Sequence, residues 1–130
     1  MEIREAIERM NESDGSSRIH EVDAFLQDLW DSGADDVEDH MVEVGNESHE
    51  KPAPFTDDLS CAMALAVRLL DDGPIDIEVA HRTVGSERYG RAEICGPQDW
   101  ASTDGVTPTV ALLKAALMAF HERAERADAA

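Results

Sequence analysis

The chain of 130 residues has few of the residues on which several protein classes depend. Aromatic residues make up only 5% of it, so its core has to consist mainly of aliphatic side chains and methionine. Its two cysteines, Cys61 and Cys95, form no CxxC pair, which indicates reduced thiols and a cytoplasmic location. No apolar run reaches the roughly 20 residues that a membrane span needs. The first residues lack the pattern of a signal peptide, and we expect none.

Positive charge is also scarce. Eleven Lys and Arg stand against 29 Asp and Glu, which gives a net charge of −18 at pH 7. Residues 1–50 carry 16 acidic and 3 basic residues, whereas residues 51–130 carry 13 acidic and 8 basic ones. Between Ile19 and Glu50 there are 11 acidic residues and no Lys or Arg. Such a surface repels DNA and RNA, so we expect no direct nucleic-acid binding and predict a basic protein partner.

The clearest predicted element is a helix within residues 56–73. Thr56 is the predicted N-cap, two aspartates follow in the first turn, and Gly73 with Pro74 ends the helix. Between these ends, apolar residues recur at intervals of three and four and form one stripe. This pattern indicates where part of the core lies, but it identifies no function.

Two shorter helices are predicted before it. The first, in residues 1–12, places Ile3, Ile7 and Met10 on one side, and the second has the apolar stripe Val22, Phe25, Leu26, Leu29 and Trp30. Residues 35–45 fit either a helical turn or a strand. We favour a strand or an irregular segment. Residues 46–54 resemble a linker. We therefore predict an acidic, mainly helical arm at residues 1–50 and a compact unit at residues 51–130.

The second half of the chain predicts a hairpin and a final helix. Residues 75–79 alternate apolar and acidic side chains, a turn follows at 84–88, and 89–95 form the return strand. Residues 96–105 are predicted as a loop, and Thr107 with Pro108 starts a helix that frays from Glu122. The predicted fold is α+β, a small antiparallel sheet in the order helix–strand–strand–helix. A lone hairpin is marginal, so it needs a third strand or a second copy at its edge.

Two stretches of this chain carry a recognisable pattern. An aromatic residue, a Thr/Asp pair and an alanine-rich helix occur at Phe55–Ala64, and a proline-started helix occurs at Thr107–Leu117, with a hairpin between them. Over residues 53–122 the chain thereby resembles the phage ABA-sandwich domain family of small phage and prophage proteins. The resemblance implies a phage or prophage origin and a location in the host cell. It supplies no catalytic residues.

Motif spacing indicates no metal site and no catalytic site. The five histidines form no HxxxH or HxH pair, and no segment has the spacing of an EF-hand. Cys61 with His81 or His121 would be a nucleophile and its base, but a thiol in an apolar helix interior is inert. GxSxG, the phosphate loop and GxGxxG are all absent from the sequence. We therefore expect a non-enzymatic protein without a cofactor or a bound metal.

The acidic run from Glu21 to Glu50 has three interpretations. Adaptation to high salt favours an excess of Asp and Glu with few lysines, and the chain has only Lys51 and Lys114. Plain solubility also favours Asp and Glu. The third interpretation is mimicry of nucleic acid, in which carboxylates along short helices imitate phosphates and occupy a groove lined by Lys and Arg. The concentration of charge in one arm favours mimicry, because salt adaptation would distribute the charge evenly.

We therefore predict a small phage or prophage protein that binds and inhibits a host nucleic-acid-handling protein. The predicted target class is a CRISPR effector complex, bound through its basic groove. The predicted partner-binding residues are Asp28, Trp30, Asp31, Asp35, Asp36, Glu38 and Asp39. Phe25, Leu29 and Trp30 would either pack the arm down or anchor the contact.

The alternative prediction is a structural or assembly accessory of a phage that acts by self-association. Two surfaces are compatible with such a homodimer. One is the edge of the hairpin, and the other is the smooth strip formed by Ala111, Ala115 and Ala119. No membrane contact is predicted in either case.

Overall fold

The computed structural model describes residues 1–13, 19–31, 53–70, 75–96 and 100–129 of the chain. In these ranges four helices and three strands form an α+β fold, which confirms the predicted fold class. The helices are α1 (Ile3–Glu12), α2 (His20–Asp31), α3 (Leu59–Leu69) and α4 (Pro108–Ala129). The strands are β1 (Asp76–Val84), β2 (Glu87–Cys95) and β3 (Trp100–Gly105). None of the helices in the described ranges combines the length and the apolar character that crossing a membrane requires.

The three strands form an antiparallel meander in the order β1-β2-β3. β1 and β2 pair along their whole length, from Asp76 opposite Cys95 to Val84 opposite Glu87. The turn between them is therefore shorter than predicted, and Gly85 in it has the left-handed φ of 65° that a tight hairpin turn requires. β3 pairs only with residues 90–95 of β2, so the turn end of the hairpin extends beyond β3.

Strand β3 lies in residues 96–105, where the sequence predicts a loop, and that prediction is wrong for Trp100–Gly105. The composition of β3 is mostly polar, and only Ala101 in it is buried. Ala101 lies opposite Ile94 of β2, on the face of the sheet that packs on the core. Long-range pairing thus forms a strand that local propensity does not indicate, and it supplies the third strand that the hairpin needs.

Helix α4 occupies the middle of the fold. Every residue from 109 to 117 is buried. One side of α4 packs on β2 and β3, and the other side packs on α3 and α1. Its alanine strip is at most 1% exposed, so the strip serves packing within this chain and offers no surface to a second copy. The molecule therefore has three layers, with the sheet on one side of α4 and the remaining helices on the other.

Helices α1 and α2 bury the predicted apolar stripes in this same core. Ile3 and Met10 of α1 and Phe25 and Leu29 of α2 are at most 1% exposed, and they belong to one cluster with residues of α3 and α4. The predicted boundary between an arm and a compact unit, after residue 50, lies outside the described residues. That division stays a prediction, although the described residues on both sides of it share one core.

Helix α3 begins later than predicted, because its N-cap is Asp58 and not Thr56. Asp58 Oδ1 accepts a hydrogen bond from the backbone N–H of Cys61 at 3.1 Å. Thr56 lies in the preceding turn, where its Oγ1 accepts a bond from the N–H of Ile19 at 2.9 Å. A carboxylate at the N-cap also interacts favourably with the helix dipole, which a threonine hydroxyl does less well. The helix also ends earlier than the predicted stop at Gly73 and Pro74, because its last residue is Leu69 and Leu70 is its C-cap, whose N–H donates to the Ala66 carbonyl. Residues 73–74 themselves lie outside the described residues.

The predicted start of α4 is confirmed. Thr107 Oγ1 accepts a hydrogen bond from the N–H of Val110 at 3.1 Å, and Pro108 is the first helical residue. A threonine cap followed by proline is typical of helix starts, because proline lacks the N–H that would be unpaired there.

Helix α4 is assigned as far as Ala129, beyond Glu122, from which the sequence predicts fraying. Glu125 in this part lies 3.0 Å from Nε2 of His121, one turn earlier, and 3.5 Å from the guanidinium of Arg4 on α1. The contact with His121 is a pair within the helix, and the contact with Arg4 follows from the packing of α1 on α4, which the local sequence does not indicate.

Two paired glycines allow the first turn of α4 to lie directly on the sheet. Gly90 of β2 and Gly105 of β3 are opposite each other in the register. A Cβ on Gly90 would overlap the backbone of Thr107 and Pro108, and a Cβ on Gly105 would lie 2.6 Å from the backbone nitrogen of Ala111. The absence of a Cβ at both positions therefore permits this close approach.

We expect Gly90→Ala to lower the free energy of unfolding by about 1–3 kcal/mol, because the new methyl group forces α4 away from the sheet. Urea denaturation followed by circular dichroism measures this change. Gly85→Asn is the control, since no atom lies within 4 Å of its position and asparagine tolerates the left-handed conformation. Equal losses in the two variants would contradict the role of the glycine pair.

Candidate functional site

Helix α2 carries carboxylates outside its apolar stripe and contains no Lys or Arg. Glu21 and Asp31 are exposed, and Asp28 is half-buried. These three residues are called the α2 acidic face below. Of the predicted binding carboxylates, Asp28 and Asp31 lie on this face. The others, Asp35, Asp36, Glu38 and Asp39, lie outside the described residues, so their participation stays a prediction.

The α2 acidic face is neutralised at one end. Arg9 of α1 forms an ion pair with Glu21, and its Nε lies 4.0 Å from Glu5 one turn earlier. Asp31, at the other end, accepts a hydrogen bond from Nε2 of Gln27 at 3.0 Å. In the described part of the chain no ion pair to Asp31 is formed. Asp31 therefore keeps its charge without an ion-pair partner among the described residues, whereas Glu21 is paired.

Trp30, predicted as a binding residue, is engaged in contacts within the chain. Its ring lies 6.5 Å from the ring of Phe55, centroid to centroid, with the two planes tilted by 38°. The guanidinium of Arg68 on α3 lies 4.7 Å from the centre of the Trp30 ring, and its Nε donates to the Trp30 carbonyl at 2.8 Å. Since Phe25 and Leu29 are fully buried, these residues attach α2 to the core, which was one of the two predicted roles.

Asp23 belongs to the acidic run in the sequence, but it is fully buried. Its Oδ1 accepts a hydrogen bond from the N–H of Thr56 at 2.8 Å. Thr56 Oγ1 in turn accepts a bond from the N–H of Ile19, just before α2. Gln27 adds a third link, because its Oε1 accepts a bond from the N–H of Ala53 at 3.0 Å. These bonds fix the orientation of α2, and hence the positions of its exposed carboxylates, relative to the segment before α3.

A second feature is an open groove of about 560 Å³ between the end of α1, the turn of the hairpin, the end of β3 and α4. Its polar lining residues are Asn11, Glu87, Arg88, Tyr89, Asp104 and Lys114. Lys114 is only 8% exposed, and its Nζ donates to the carbonyl of Asp104 at 2.7 Å. The lining contains two acidic and two basic residues, so its formal charges cancel. No sequence pattern indicates this groove, because a lone lysine in an apolar helix resembles a solvent-exposed residue.

The described residues offer little for metal or thiol chemistry. Within those ranges no three His, Cys, Asp or Glu side chains converge on a point that could hold a metal ion. Cys61 is half-buried rather than buried, and burial, followed by the negative charge of Asp58, raises the pKa of its thiol. Cys61 is therefore a weak nucleophile at neutral pH, whereas Cys95 is exposed.

Comparison of the chain with known protein families, with curated proteins and with solved structures finds no match. The resemblance to the phage ABA-sandwich domain family stays a prediction. The function therefore has to be inferred from the surfaces of the molecule itself.

The buried amine of Lys114 gives a prediction for pH dependence. Its pKa lies below the ordinary value of 10.5 because burial disfavours the ammonium, an effect that the charge of Asp104 opposes. Between the lowered pKa and that of the unfolded chain, the unfolded state binds more protons, so wild-type stability rises with pH in this window. Lys114→Met abolishes that contribution.

Urea denaturation of both proteins from about pH 7 to about pH 10 measures the difference. We expect the unfolding free energy of the wild type to rise relative to that of Lys114→Met as the pH increases. All other titrating groups are common to both proteins and cancel. A difference that does not change with pH would contradict the lowered pKa.

Proposed function

We propose that this chain is a small, non-enzymatic inhibitor from a phage or prophage. It binds a host nucleic-acid-handling protein by placing its acidic surface on the cationic groove of that protein. The observation that carries this proposal is the α2 acidic face, which has no Lys or Arg on its own helix and is held in a fixed orientation by buried bonds. A CRISPR effector complex is the proposed target class, because it holds nucleic acid in a positively charged channel.

The fixed orientation of α2 supports the proposal energetically. Side chains and helices that are already ordered lose less conformational entropy on binding than mobile ones do. The contacts of Asp23 with Thr56 and of Trp30 with Arg68 provide this order. The chain then continues from Asp31 through residues 32–50, which contain seven more acidic residues and no Lys or Arg. The run of acidic residues therefore begins on a rigid element and continues along the sequence.

The distribution of positive charge favours a partner over general adaptation to solvent. The β1–β2 hairpin contains Arg82, Arg88 and Arg91, and all three are exposed. The hairpin also carries four acidic residues, so its charges are mixed, whereas α2 has acidic residues and no Lys or Arg. High-salt adaptation or plain solubility would not require this difference between the two surfaces. A surface that selects a cationic partner and repels polyanions does require this separation.

The test is displacement of a fluorescent DNA duplex from a purified CRISPR effector complex by the chain. We expect displacement at low salt, with an apparent affinity that falls roughly tenfold or more between 50 and 200 mM salt, since charge–charge contacts are screened. Changing Asp35, Asp36, Glu38 and Asp39 to Lys should abolish it. No displacement at low salt would contradict the proposed target.

The control variant changes Glu2, Asp57, Glu87 and Glu122 to Lys, four exposed positions elsewhere on the chain. Both variants undergo the same change in net charge, so only the position of the charge differs. We expect the control to retain displacement, and circular dichroism verifies that both variants fold. Equal loss in the two would show that net charge alone is responsible, and it would overturn the proposed surface.

A further inference from the structure

Strand β1 has one unpaired edge. It lies at the end of the strand order and pairs with β2 on one side only. Within the described ranges no strand hydrogen-bonds to its other side. β1 has nine residues, its register with β2 is continuous, and it contains no proline and no lysine. Such an edge is a template for another strand, because its outward N–H and C=O groups lack strand partners.

The sequence of β1 is complementary to itself in the antiparallel direction. When all nine residues are paired with a second copy, Ala80 lies opposite Ala80, and Glu78 lies opposite Arg82 on both sides of the twofold axis. We propose that β1 pairs in this register with β1 of a second copy and forms a continuous six-stranded sheet. The interface is thus independent of the α2 acidic face and does not rest on the function proposed above.

The backbone geometry agrees with this register. In a two-residue hairpin, the pair that closes the turn exchanges both backbone hydrogen bonds, and here that pair is Val84 and Glu87. Even-numbered residues of β1 therefore direct their N–H and C=O groups to β2, and odd-numbered residues direct theirs outward. The proposed register places Val79 opposite His81 and Ile77 opposite Thr83, so outward groups meet outward groups. Glu78 and Arg82 then occupy a non-hydrogen-bonded pair, in which side chains lie closest.

Within one chain, a charged residue of β1 lies opposite a like charge and two of its apolar side chains remain half-buried. Glu78 lies directly opposite Glu93 on β2, an unfavourable pair of like charges that Arg82 of a second copy would counter. Ile77 and Val79 point towards α4 but remain half-buried, because α4 packs mainly on β2 and β3. A second copy would extend the sheet beside these apolar side chains and reduce their exposure to water.

Sedimentation of the full chain over a range of concentrations tests the proposal. We expect the wild type to reach twice the chain mass of 14.2 kDa. Arg82→Glu makes both Glu78 pairs repulsive, so the dimer dissociation constant should rise by about tenfold. The double variant Glu78→Arg with Arg82→Glu restores opposite charges in reversed order and should recover the dimer. A monomeric wild type, or a double variant no better than the single one, would overturn the register.

A second pair of variants addresses the backbone. His81→Pro removes one outward N–H without breaking the ladder to β2, since proline is tolerated on the free side of an edge strand. His81→Ala leaves the backbone intact and is its matched control. We expect the proline variant alone to remain monomeric while both keep the circular dichroism spectrum of the folded chain. A proline variant that still dimerises would exclude β1 pairing.

Salt distinguishes this contact from the inhibitor surface. Added salt screens the repulsion between two chains of net charge −18 and also screens the Glu78–Arg82 pairs, but it leaves the backbone hydrogen bonds in place, so we expect the dimer to change little with salt. Docking of the α2 acidic face on a cationic protein should weaken under the same conditions. The two proposals can therefore fail independently: dimerisation can be absent while DNA displacement occurs, or present while displacement does not occur.

Discussion

The fold depends on the contact between the first turn of α4 and the sheet at Gly90 and Gly105. Because neither glycine has a Cβ, the helix backbone comes within a distance that no other residue pair would allow. This distance places the buried stretch 109–117 against β2 and β3 on one side and leaves its other side for α3 and α1. A chain with few aromatic residues thereby builds its core from closely spaced small and aliphatic side chains around one central helix.

The same arrangement allows a strongly acidic chain to fold. Burial of the apolar stripes fixes α1 and α2 on the core, so most of their carboxylates remain in water and incur no desolvation cost. Asp23 is the exception, and backbone N–H donation from Thr56 compensates its burial. Arg9 and Arg68 are placed where they hold helices together, the first by pairing with Glu21 and the second by covering Trp30. Basic residues in the helical layer thus stabilise the fold and leave Asp31 unneutralised within the described chain.

Helix positions could be predicted from the sequence, because apolar periodicity reports directly on a helix that packs on one side. The strand β3 could not, since Ala101 is its only buried residue and pairing with β2 forms it. Thr56 and Asp58 both have the chemistry of an N-cap, and only the tertiary bond from Ile19 decides that Thr56 is used elsewhere. For the site, the charges of Asp28 and Asp31 are evident from the sequence. The burial of Asp23 and the packing of Trp30 are not, because they depend on distant residues.

The two proposed surfaces lie on different layers of the molecule, and this separation has a physical consequence. β1 belongs to the sheet, and α2 packs on α1 and α3 on the far side of α4. The buried helix α4 lies between β1 and α2. This region of low dielectric constant separates the side chains of the two surfaces. Arg82 on the sheet therefore does not neutralise the carboxylates of α2, as it would if both faced the same solvent-filled cleft. A dimer joined through β1 would present two acidic faces at a fixed separation, so a partner with two cationic grooves would gain effective concentration without any new contact.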